Sequence, residues 1–124
     1  GAAGDRIAHL APDDVSARQQ LVNLHILAGR LADALEEQRN IARIALRHKD
    51  IEAATAALHQ VLALSASDRW ALRQLAELLA AMGEHSQSLR LYRRLAKLEP
   101  DNTEVAKLLA GEEKLVSGHS ESAG

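Results

Sequence analysis

The chain has 124 residues, one tryptophan, one tyrosine, no phenylalanine and no cysteine. It is long enough for one domain but has little aromatic core to build with, and thiol catalysis, thiolate metal sites and disulfides are excluded. Its 15 basic and 17 acidic side chains leave a net charge of -2, so no bulk field draws it to DNA, RNA or anionic lipid.

Ala, Leu, Glu, Arg and Gln dominate, all strong helix formers, while β-branched residues are sparse and scattered. Only two prolines and seven glycines interrupt the pattern. Apolar runs are short and broken by charge, so none has the length of a membrane span. The chain opens Gly-Ala-Ala-Gly without Met, and no basic, apolar and small-residue leader follows. This start reads as an internal cut from a longer protein. The compartment is therefore left open, with cytoplasm slightly favoured over periplasm.

Residues 5–10 read as the tail of a helix whose beginning is missing, and Ala11-Pro12-Asp13-Asp14 as the junction that ends it. Apolar residues then recur at helical spacing over 15–28, 31–48, 50–64, 69–82, 86–98 and 103–116. Gly29 and Gly83 fall where a helix needs a left-handed C-terminal residue, and Lys49-Asp50 makes a similar break without glycine. Ser65-Ala66-Ser67-Asp68 and Glu99-Pro100-Asp101-Asn102 repeat the first junction, with side chains suited to capping the next helix. Asp101 and Glu104 have the spacing of a capping box. Leu72, Leu75, Ala76, Leu79 and Met82 form one stripe, to be met by Leu89, Tyr92, Leu95 and Ala96. Residues 117–124 carry no apolar anchor and are expected to be a disordered tail. The expected organisation is a junction over 1–14, one helical domain over 15–116, and that tail.

Residues 69–102 resemble a tetratricopeptide repeat. That family has a 34-residue helix–turn–helix unit with preferred residue sizes at fixed places. Leu72 stands where the family often has Trp, Leu75-Ala76 at its Leu-Gly pair, and Leu79 at its Tyr. Gly83 takes the turn glycine, Ser88 a small-residue place, Tyr92 the aromatic place and Pro100 the closing proline. Residues 35–68 and 15–48 fit the same frame more weakly, and the two frames overlap on the helix over 31–48. That helix is therefore expected to pack with both neighbours. The resemblance implies an all-α fold, a right-handed α-α superhelix of tetratricopeptide-like hairpins with about six helices. It also implies a protein-binding role, because stacked hairpins leave a concave groove lined by the first helix of each pair.

The overlapping frame puts Arg39, Arg43 and Arg47 on the groove side near Arg73. They read either as a stripe for an acidic peptide or as a solvated helix face, the second being the default for charged faces. Trp70, Gln74 and Glu77 complete the groove candidates. Trp70 is an anchor for a partner in one reading and a cover over the Ser65–Asp68 turn in the other. Tyr92 is placed in the core. Arg90, Arg93, Arg94 and Lys97 are assigned to the convex surface. The carboxylate clamp of some family members is not carried over. Asn23 and Asn40 match its asparagines, but Gln19, Trp70 and Gln74 stand at its cationic places.

The six histidines form no i, i+4 pair, and no nucleophile, phosphate-loop or dinucleotide motif occurs. No cofactor or metal is expected, and no catalytic residue can be named. The expected function is a non-enzymatic scaffold that binds a protein or peptide. Self-association through Val105, Leu108 and Leu109 at the end of the stack is the rival reading. Helical-repeat RNA binding is disfavoured by the charge balance.

Overall fold

The computed structural model describes residues 14–123, with side chains through residue 118. The expected helix tail and junction before Asp14 lie outside the described residues. Six helices follow one another: α1 (Val15–Leu27), α2 (Leu31–Arg47), α3 (Ile51–Leu64), α4 (Arg69–Ala81), α5 (His85–Leu98) and α6 (Thr103–Ala123). There is no strand among the described residues. The expected all-α hairpin fold is what the chain adopts, with helix ends moved by a residue or so except at α6.

Four of the six N-termini are set by a short acceptor side chain, while α2 and α5 start at Arg30 and Glu84 without a side-chain cap. Asp14 accepts from the Ala17 N–H, Asp50 from Ala53 and Asp68 from Ala71, at 3.0, 3.1 and 2.9 Å. At α6 the cap is Asn102, which accepts from Glu104 and Val105 at 3.0 and 3.1 Å. Asp101 is therefore not the cap. The helix begins at Thr103, and only the residue directly before it can reach these orphan donors. α6 also runs past residue 116, through the segment expected to be a disordered tail, up to Ala123.

Three helices stop in the same way. After α1, Gly29 N–H bonds Ile26 O and Arg30 N–H bonds His25 O, the paired closure that caps carbonyls at a left-handed residue. Gly83 and Glu84 repeat it after α4, and Lys49 and Asp50 after α2. Gly29 and Gly83 have φ of +76° and +82°, and Lys49 has φ of +57°. The non-glycine break read from the sequence thus has the geometry of the glycine ones, at a steric cost the glycines escape.

The chain divides into two units, with the boundary between Gln60 and Val61 in α3. In the first, α1 packs on α2. α2 buries Ala34, Gln38, Ile41, Ala42, Ile44 and Ala45, a stripe broader than one neighbour needs. Gln38, Ile41 and Ala45 share one crevice with Val15 and Gln19 of α1 and Ala53 to Gln60 of α3. α2 therefore borders one crevice together with both neighbours.

In the second unit, α5 packs against both α4 and α6. Its core is Ala71, Leu72, Leu75, Ala76, Leu79, Leu89, Leu91, Tyr92, Leu95 and Val105. Met82, expected to close the α4 stripe, is 50% exposed because it is the C-terminal cap residue beyond the last turn. Ser88 is fully buried and its hydroxyl donates to Ala76 O at 2.8 Å. A small residue there lets α4 and α5 approach, and the hydrogen bond satisfies the only polar atom of its side chain.

Candidate functional surfaces

Arg39, Arg43 and Arg47 lie, by helical spacing, opposite the buried α2 stripe and outside the lining of the crevice. Glu36 faces two of them: its carboxylate accepts from Arg39 at 3.1 Å and from Arg43 at 3.4 Å. Arg43 also donates to Asn40 Oδ1 at 2.9 Å. The stripe is thus laced with local partners. Arg18 of α1 pairs with Glu37 at 2.6 Å, tying the two helices together.

The first unit instead offers an apolar crevice that the sequence reading did not single out. Ile41, Ala45, Ala53, Ala56 and Ala57 line it together with Val15 and three glutamines, Gln19, Gln38 and Gln60. Its volume is about 230 Å3. That is below the usual range of small-molecule pockets, ~300–1,000 Å3, and suits one or two side chains. The hollow exists because alanines stand where larger residues would fill it. Gln38 is 1% exposed and its amide has no hydrogen bond among the described residues, although it lies on the crevice wall. A run of alanines looks like ordinary helix filler, so only packing reveals the hollow.

On α4, Trp70, Arg73, Gln74 and Glu77 share one face at i, i+3, i+4 and i+7, opposite the buried one. Trp70 and Gln74 are partly buried. Arg73 donates to Glu77 at 3.1 Å and also to Glu104 of α6, so this face runs against α6. These bonds to Glu77 and Glu104 raise the guanidinium's pKa further above its ordinary value. The cation expected to attract an acidic partner is thus held by two carboxylates.

Further along α6, Glu112 is 8% exposed and its carboxylate lies 2.6 Å from His85 Nδ1 at the start of α5. Tyr92 is 2% exposed, in the core as expected. Its phenol is pushed up to about 12, first by burial and then by the charges of Glu77 and Glu112, with Arg73 opposing and Glu104 adding. Val105, expected at an end contact, is fully buried within the second unit. It forms the first core position of α6, which packs on α5, and is unavailable to a partner. Leu108 and Leu109 are partly exposed. No cluster of metal-ligating side chains occurs among the described residues, and no helix there is long and apolar enough to cross a membrane.

The fold and these surfaces define a class: short α-helical hairpins in tandem, with small residues at the close approaches. The family model for the tetratricopeptide repeat matches residues 45–111, more than half of the chain. The chain belongs to the tetratricopeptide repeat family. No curated protein matches its sequence. Among solved structures it is similar to a MamA protein at 17% identity, covering 90% of this chain and 69% of that one with a TM-score of 0.58. It is also similar to the first tetratricopeptide repeat domain of human RPAP3, at 18% identity, 90% and 99% coverage and a TM-score of 0.57. The first such repeat of Spaghetti (RPAP3), bound to the HSP90 peptide SRMEEVD, aligns at 17% identity over 87% and 99% of the two chains, with a TM-score of 0.56.

Proposed function

We propose that this chain is a non-enzymatic interaction module that takes a peptide segment of a partner protein in the crevice of its first unit. The observation that carries the reading is the crevice itself: an apolar hollow of side-chain size with the unpaired amide of Gln38 in its wall. An apolar partner residue would fill the space between the alanines, while the amide takes up a backbone group beside it. Membership of a repeat family and the peptide held by the Spaghetti repeat support the same reading. We further assign the α4 face of Trp70, Arg73, Gln74 and Glu77 to partner contact, and Arg39, Arg43 and Arg47 to solvated surface. Support for an acidic partner weakens, because Arg39, Arg43 and Arg73 each already face a carboxylate.

The test is substitution of Ala56, which is exposed and lines the crevice. Ala56→Trp should plug the hollow and weaken capture of the natural partner at least tenfold, with helicity and unfolding midpoint unchanged. Partner binding that is undiminished in this variant removes the crevice from the site.

Self-association has its own supporting observation, at a place other than the expected one. Leu21, Leu24 and Leu27 of α1 and Leu31 of α2 are 43%, 59%, 84% and 59% exposed. Leucines this bare form an apolar patch suited to a second chain or to further repeats. Sedimentation over a concentration range tests it: a Leu24→Glu, Leu27→Glu variant should dissociate any dimer, and a wild-type chain that stays monomeric near millimolar concentration excludes one.

A further inference from the structure

We propose that the α4–α6 side of the second unit binds a cationic side chain, Lys or Arg, of the partner, using Glu77, Glu104, Glu112 and the hydroxyl of Tyr92. This rests on the peptide-binding reading and gives it a chemical preference, opposite in sign to the acidic partner expected from the arginine stripe.

Tyr92 is the starting point. Its ring is spent on the core, yet its hydroxyl makes no hydrogen bond among the described residues. The sole sealed, unpartnered side-chain polar atom among the described residues is Nδ1 of His25, so the Tyr92 oxygen reaches solvent. The charges that act on that phenol are three carboxylates, Glu77, Glu112 and Glu104, against one guanidinium, Arg73. A buried aromatic stem thus delivers an unused polar tip into a setting with surplus negative charge.

The carboxylates keep capacity to spare. Glu77 and Glu104 each give an oxygen to Arg73, and Glu112 gives one to His85. A carboxylate offers about four acceptor sites, so one bond apiece leaves most of them open. Glu77 and Glu104 are 46% and 66% exposed at the side chain, within reach of an incoming group. Glu112 is held by His85 with its side chain only 10% exposed. Fixed carboxylates in a partly dry setting attract a cation more strongly than mobile surface ones.

The spacing suits the ligand. Glu104, Leu108 and Glu112 recur every four residues on α6 and form one stripe about 12 Å long. The half-exposed Leu108 lies between the two acids. Lys and Arg lay an apolar stem along such a residue while the charged head meets the carboxylates. An acidic residue of a partner would instead meet Glu77, Glu104 and Glu112 and be repelled.

The sole tyrosine of the chain provides the readout. The intact protein, labelled at Tyr92, is titrated with acetyl-Ala-Leu-Lys-Leu-Ala-amide and with its Arg, Gln and Glu versions, following the ring signals by NMR at low and high salt. The Lys and Arg peptides should shift Tyr92 and bind at least fivefold more tightly than the Gln peptide, with the difference fading in high salt. Glu104→Gln with Glu77→Gln should erase that preference and leave the fold intact. Equal binding of the Lys and Gln peptides overturns the cation site while leaving peptide binding in place. A Tyr92 signal unmoved by the Lys peptide at millimolar concentration also overturns it, whatever Ala56→Trp does to partner capture at the other unit.

Discussion

The state of Tyr92 can be measured directly. It is the only tyrosine in the chain, and the one tryptophan does not titrate, so absorbance near 295 nm reports this single phenol. Burial and the charges of Glu77 and Glu112 push it up to about 12 from its ordinary 10. That difference corresponds to about 3 kcal/mol between the two protonation states. The sign follows from which state keeps the proton. Above pH 10 the unfolded chain loses its phenol proton while the folded chain retains it. The contribution to stability is therefore full below pH 10 and is lost as pH rises through about 12. Titration of the native chain should give a midpoint close to 12, falling to about 10 in concentrated guanidinium. Glu112→Gln should lower the native midpoint, since it removes a negative charge that disfavours phenolate. A native midpoint at the ordinary value would falsify the burial of this phenol.

Three further perturbations test the helix ends and the hairpin. Lys49→Gly relieves a left-handed non-glycine residue and should stabilise the chain by about 0.5–1 kcal/mol in urea unfolding; destabilisation would show that φ is not the controlling cost there. Asp68 is buried and caps α4, so Asp68→Ala should cost about 1–2 kcal/mol, whereas an exposed cap would cost less; an unchanged unfolding midpoint counts against the cap. Ser88→Ala loses one buried hydrogen bond, about 1 kcal/mol, while Ser88→Leu forces α4 and α5 apart and should cost more; equal effects would mean that the close approach is not what the serine serves.

The helices and their ends were written in the order of residue types. Asp14, Asp50 and Asp68 precede helical patterns and cap them, and Gly29 and Gly83 stop helices by the one conformation that other residues avoid. Lys49 was legible by analogy of position, and the size pattern from Leu72 to Pro100 named the repeat. These features are local: each depends on a residue and its neighbours within a turn or two, so periodicity and capping chemistry carry them.

The surfaces were not legible in that way. Helical spacing put Arg39, Arg43 and Arg47 on one face, but it did not show that Glu36 answers two of them or that the crevice opens on the other side. Arg73 looked like a free cation until α6 brought Glu104 to it across 31 residues of sequence. Val105 looked like an open end until packing buried it. Charge and cavity depend on which atoms from distant segments share a few ångströms. Only the packed helices fix that, and composition along the chain leaves it undetermined.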